Sequence, residues 1–148
     1  MRVLCGVAGF FLMLVSSVSL ADERPEVSKY VEAYSSNTSG AEVYLTRIGP
    51  HQANQAIVQV VGIDHDWDGK IQKMDISEVS NTSDERRFSL KVKDKTYNMV
   101  LVLKRNGEGL LYLPGNREPY RISYDKALSG QANAQYFLTD YLKQQEQR

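Results

Sequence analysis

From residue 42 to residue 124 the chain is a succession of short stretches with β-strand patterning, some alternating apolar and polar residues as at 70–76 and 88–92 and others rich in β-branched and apolar residues, and each stretch is closed by a turn signal. This rhythm constrains the fold more than any other feature, because a period of two places successive side chains on opposite faces of a strand. Segments 42–48, 56–63, 70–76, 88–92, 97–103 and 110–113 carry it, with a short last one at 120–124. Between them stand Gly49-Pro50, an acidic turn at 64–69, a polar loop at 80–85, Asp94-Lys95, Asn106-Gly107 and Pro114-Gly115. Asn-Gly is a strong hairpin signal, since both residues tolerate positive φ. The stretch 56–63 is the richest in β-branched residues and reads as a central strand. Links this short leave no room for the long crossovers that parallel strands require, so the pairing is expected to be antiparallel.

Two segments follow a helical period instead. After Pro25, apolar residues fall at Val27, Tyr30, Val31 and Tyr34, spaced i, i+3, i+4 and i+7, and proline is well tolerated in a first helical turn. Near the other end, Tyr136, Phe137, Leu138, Tyr141 and Leu142 give an apolar face between about residues 133 and 145. The expected fold is therefore α+β: an antiparallel β-meander of six to seven strands flanked by an N-terminal and a C-terminal helix.

The first 21 residues have a different character. Met1-Arg2, an apolar run from Val3 to Val15, and Ser19 and Ala21 at −3 and −1 of a cleavage point compose an export signal. The run is short of the ~20 apolar residues that a bilayer span needs, although a retained anchor helix is the alternative reading. The mature part, residues 22–148, is expected to be one domain in the periplasm. The sole cysteine, Cys5, departs with the leader, which leaves no disulfide, no thiolate nucleophile and no cysteine metal site. Acidic and basic residues balance at 18 each, so processing at Ala21 leaves one net negative charge. With no basic stripe, nucleic acid and anionic lipid are not expected partners. Arg86, Arg87, Lys91, Lys93 and Lys95 read as a solvated strand face.

Residues 64–75 hold the sharpest local pattern. Asp64, Asp66, Asp68, Gly69, the apolar Ile71 and Asp75 follow the spacing of a calcium loop, in which alternate carboxylates wrap a hard cation. Asp75 stands where a longer, bidentate Glu is usual, and the flanks read as strands rather than helices. An acidic hairpin turn is the competing explanation. No organic cofactor is expected, and Ca²⁺ is the one ion this pattern admits. Trp67, the only tryptophan, lies in the same turn beside His65 and is either an exposed binding anchor or a ring folded over the sheet edge. Tyr97, Tyr112, Tyr120 and Tyr124 make the second half tyrosine-rich, a composition suited to protein recognition and equally to ordinary strands.

Catalytic signatures do not emerge. His51 and His65 are the only histidines, and no nucleophile elbow, zinc-protease helix, phosphate loop or dinucleotide fingerprint is present. The chain is expected not to be an enzyme, with a small hydrolase using either histidine as the rival.

Gly62-Ile63-Asp64-His65, Asp68-Gly69-Lys70-Ile71, Leu111-Tyr112-Leu113-Pro114-Gly115 and Tyr124-Asp125-Lys126-Ala127-Leu128 follow the export signal in that order. This layout, over residues 55 to 130, resembles small periplasmic immunity proteins that protect a bacterium from type VI secretion effectors attacking its cell wall. The resemblance implies a β-rich protein that plugs the cleft of a secreted peptidoglycan hydrolase, and it transfers no inhibitory residue. His65, Trp67, Asn116 and Arg117 are the expected partner contacts. The alternative function is a calcium- or ligand-binding envelope module, with Asp64, Asp66, Asp68 and Asp75 as its ligands.

Overall fold

The computed structural model describes residues 24–78 and 84–148, so the leader and most of the 80–85 loop lie outside the described residues. The strands do not form an open meander between two helices. They close into an eight-stranded antiparallel barrel, each strand pairing with the next and the last with the first. The strands are β1 (Glu32–Ser35), β2 (Glu42–Arg47), β3 (Gln55–Val61), β4 (Ile71–Glu78), β5 (Glu85–Val92), β6 (Lys95–Lys104), β7 (Glu108–Leu111) and β8 (Tyr120–Tyr124). Helices α1 (Lys126–Gln131) and α2 (Ala134–Glu146) follow them.

The fold class read from the sequence is thus corrected in two respects. The eighth strand is β1, which occupies part of the segment expected to be an N-terminal helix. The helical spacing there is coincidental: Tyr34 packs in the lumen, Val31 packs outside the barrel beneath α2, and Tyr30 is 71% exposed. The four residues therefore never form one face. Closure gives Tyr34 a lumen to fill and removes the two free edges an open sheet would leave.

Alternation in every strand sends one set of side chains inward. Val43, Leu45, Val58, Val60, Met74, Ile76, Phe88, Leu90, Leu101, Leu103, Leu111 and Ile122 form one continuous apolar cluster. Eight strands enclose a space about wide enough for side chains to fill. Lys73, Asp75, Lys91, Glu108 and Arg121 are exposed on the wall, so the barrel is apolar within and charged without, the reverse of a lipid-spanning barrel. No described helix is long and apolar enough to cross a membrane.

A second apolar cluster lies outside the wall. Ile48, Ile57, Ile71 and Val31 meet Ala134, Phe137, Leu138 and Tyr141 of α2. This explains why residues 56–58 form an unbroken apolar run: Ala56 and Val58 face the lumen while Ile57 faces the helix. Gln144 completes the docking by acting as a strand edge. Its Nε2 donates to the Ile71 carbonyl at 2.7 Å, and its Oε1 accepts from the Ile71 amide at 2.9 Å. The start of β4 has no β5 partner, because pairing between those strands runs from Asp75 to Glu78 only. α2 covers the edge left exposed there.

The turns follow their local chemistry. Asn106-Gly107 sits in a three-residue link: Gly107 takes φ +91°, Asn106 stays out of the left-handed region, and its Oδ1 accepts from the Glu108 amide at 3.0 Å. Asp125 caps α1 by accepting from the Leu128 amide at 3.0 Å, and its other oxygen accepts from the Ser35 hydroxyl at 2.9 Å. These bonds hold the Asp125 carboxyl below its ordinary pKa, the Leu128 amide contributing most.

Candidate functional site

Up-and-down connectivity sorts the connections to two ends. Links 36–41, 62–70, 93–94 and 112–119 follow odd-numbered strands and gather at one end, while 48–54 and 105–107 lie at the other. All four expected contact residues are thereby carried into the two longest links of one end, His65 and Trp67 in 62–70 and Asn116 and Arg117 in 112–119.

His65 fastens those links together. Its Nδ1 accepts from the Trp67 amide at 3.1 Å, which leaves Nε2 to donate to the Pro114 carbonyl at 2.9 Å, a tautomer assigned from these partners. His65 is thus half-buried and structural in its contacts. Trp67 stands edge-on between His65 and Tyr97, with ring centroids 5.4 and 5.7 Å away, and packs on the lumen cluster. Of the two readings of Trp67, the folded-over ring is the one observed; it lids the barrel. Asn116 and Arg117 differ, since both are exposed on the turn closed by the bond from the Asn116 amide to the Leu113 carbonyl. At this end the exposed residues of the 112–119 link and Asp64 and Asp66 lie above the half-buried His65 and Trp67.

The acidic turn is built differently from a calcium loop. Asp68 forms a parallel bridge with Val60, and its Oδ1 accepts from the Ile63 amide at 3.3 Å. Gly69, at φ +75°, donates to the Val60 carbonyl at 2.8 Å. From Ile71 the chain runs straight into β4 instead of curling back, at about 3.3 Å per residue. Asp75 is carried down the wall, where it accepts from Gln55 Nε2 at 3.3 Å, far from Asp64 and Asp66. Among the described residues no three His, Cys, Asp or Glu side chains form a group able to hold a metal ion. His51, in a single 3-10 turn (His51–Ala53), is at the opposite end from His65, so the two histidines share no site.

Two features escaped the sequence reading. The first is a charged pair inside the barrel. Arg86 of β5 grips Glu32 of β1 with two hydrogen bonds, 2.9 and 3.1 Å long, while its guanidinium lies 5.8 Å from the Phe88 ring centroid. Burial opposes the Arg86 charge, but the hydrogen bonds and charge of Glu32 outweigh it and raise the Arg86 pKa. Burial, then the Glu32 charge, pushes the neighbouring Tyr34 phenol up to about 12. Extending the Phe88–Leu90 alternation back by two residues lands on Arg86, which was the available signal. The second feature is a groove of about 870 Å³ on the outer wall, floored by β6, β7 and β8 and bordered by Ser35 and residues 37–39 where closure brings the link after β1 against β8, which no local pattern encodes.

No protein family, curated protein or solved structure matches this chain.

Proposed function

We propose that the protein is an exported periplasmic inhibitor that neutralises a secreted cell-wall-degrading enzyme, in the manner of a type VI immunity protein, by seating the loop end of its barrel over the enzyme's active site. The observation that carries this reading is the bond from His65 to Pro114, which locks two loops into one preformed surface crowned by Asn116 and Arg117. A rigid loop surface loses little conformational entropy on binding, the condition for tight inhibition by contact alone. Arginine and asparagine also suit the polar, carboxylate-lined clefts of glycan hydrolases, because a guanidinium pairs with a carboxylate in a bidentate manner. The inhibitor acts by occlusion and performs no bond-breaking step.

The test is protection. Cells exporting a peptidoglycan muramidase or amidase to the periplasm should survive when the protein is co-exported, and lyse when it carries Asn116→Ala with Arg117→Ala. Equal protection by the double variant would refute the assignment of the loop end, and lysis with the unaltered protein across hydrolase classes would refute the function.

A further inference from the structure

The groove on the outer wall is independent of the loop end. Leu101, Leu103, Leu111 and Ile122 fill the lumen, so by alternation Val102, Lys104, Glu108, Leu110, Arg121 and Ser123 stand on the outer face of β6, β7 and β8. The backbone of this floor is committed, because β7 pairs with β6 on one side and with β8 on the other. Recognition in the groove therefore falls to side chains.

Register sets those side chains in two rows. Glu108 lies opposite Ser123, and Ser123 lies opposite Ser35, which makes a polar row across β7, β8 and β1. Val102 lies opposite Leu110, and Leu110 lies opposite Arg121, which makes a row that is apolar up to its last member. The rows are two residues apart along the strands, about 6.6 Å at ~3.3 Å per residue. Asn37, Thr38 and Ser39, on the link after β1, form a bank beside Arg121.

The polar groups have hydrogen-bonding capacity to spare. Ser35 Oγ donates to Asp125 and keeps lone pairs with which to accept, whereas Ser39 Oγ accepts from the Ala41 amide at 3.4 Å and keeps its proton to donate. Glu108 engages one carboxylate oxygen, 3.4 Å from Asn106 Nδ2, and the other stays open. The Asn37 and Ser123 side chains have no partner among the described residues. Charge is balanced as well: Glu85 is the register partner of Lys104, and Glu108 faces the same groove, so these carboxylates match Lys104 and Arg121 in number. An ion finds no field of one sign here. A peptide strand finds no open backbone in the floor. Neutral donors and acceptors along one row and bare carbon along the next suit a pyranose, which carries hydroxyls at its edge and C–H groups on its face. An acetamido substituent suits the step between the rows, since its N–H can donate to Glu108 while its methyl group packs on Leu110.

We propose that this groove binds a neutral oligosaccharide of N-acetylated amino sugars, laid across β6, β7 and β8 with its hydroxyls on the Glu108–Ser123–Ser35 row and its C–H faces on Val102 and Leu110. The span from β6 to β8 is about 10 Å at ~4.8 Å per strand, so the ligand is a short run of linked sugars rather than a single ring.

The experiment titrates the ¹⁵N-labelled protein with tetra-N-acetylchitotetraose, with cellotetraose, which lacks the acetamido groups, and with the capped acidic peptide Thr-Asp-Val-Asp-Thr-Val. The expected result is saturable amide shifts at residues 37–39, 108–110 and 121–123 with the N-acetylated sugar, and at least fivefold weaker binding of the other two. Glu108→Gln, Ser123→Ala and Leu110→Asn, each used only once shown to keep the melting temperature and spectrum, should each weaken binding at least fivefold, whereas Lys73→Ala on the far wall should leave it unchanged. Absence of saturable shifts with the N-acetylated sugar, shifts centred on the loop end, or unaltered affinity in the folded variants would overturn the proposal. Equal or tighter binding of cellotetraose or of the acidic peptide would also overturn it.

Discussion

Removing either partner of the Glu32–Arg86 pair should destabilise the protein, and removing both should cost clearly less than the two single losses combined. The reason is topological. β1 neighbours β2 and β8, and β5 neighbours β4 and β6, so the two residues lie four strands apart along the sheet. In an open sheet, at ~4.8 Å per strand, they would be separated by about 19 Å and could not interact. They meet at 2.9 Å because the sheet closes and both side chains enter the lumen. A pair at the surface contributes ~0–1 kcal/mol, and breaking a fully buried one costs ~3–5 kcal/mol. These side chains are 30% and 37% exposed, which places the coupling between those limits but nearer the lower, at about 1–2 kcal/mol. The assay is urea unfolding of Glu32→Gln, Arg86→Met and the double variant at constant m-value. Sites without contact add to within ~0.3–0.5 kcal/mol, so a coupling energy inside that band would refute the closed lumen as the origin of the contact.

Other consequences follow from the packing. Leu138→Ala removes a side chain with no exposed surface between α2 and the barrel wall and should cost about 2–5 kcal/mol in urea unfolding. Gly62 takes φ +77°, and a Cβ there would lie 2.5 Å from the Gly40 carbonyl oxygen; Gly62→Ala should therefore cost at least about 2 kcal/mol, a loss absent if the two loops are loosely joined. Tyr34 and Tyr44 both have pKa values pushed up to about 12, by burial first and then by Glu32 or Glu42 respectively. The folded state keeps protons the unfolded chain loses near pH 10, so this contribution is complete below pH 10 and is lost as pH rises towards 12. Absorbance at 295 nm should show part of the tyrosinate signal delayed towards pH 12 and rising together with unfolding; simple ionisation of every tyrosine near pH 10 would contradict it.

The strands were legible because one face of each is buried in a single lumen, which writes a period of two into the sequence. Val43-Leu45, Met74-Ile76 and Phe88-Leu90 all carry it. The acidic turn showed its Asp-Gly chemistry plainly, but not that β4 would draw Asp75 away from Asp64. Closure was not legible. β1 has only four residues, and its neighbourhood carries helical spacing by coincidence, so nothing local marks Tyr34 as a lumen residue. Helix α1 was equally hidden, being six residues long and held by the Asp125 cap and by Ser129, whose Oγ accepts from the Ala33 amide at 2.9 Å. The loop end was half legible: Asn116 and Arg117 announced themselves as turn residues, whereas the inward packing of Trp67 and the clasp of His65 on Pro114 depend on two links 49 residues apart in sequence. Sites assembled by closure, such as the lumen pair and the wall groove, involve residues whose separation along the chain leaves no periodic trace.

The most direct test of the account is an inhibition titration. Purified peptidoglycan muramidases and amidases are assayed on cell walls while the protein is added in increasing amounts. The account predicts that the activity of at least one enzyme class falls to zero at a one-to-one ratio, and that Asn116→Ala with Arg117→Ala raises the inhibition constant by at least tenfold without changing the melting temperature. Full hydrolase activity at a large excess of the folded protein, or hydrolysis of cell wall by the protein itself, would contradict it.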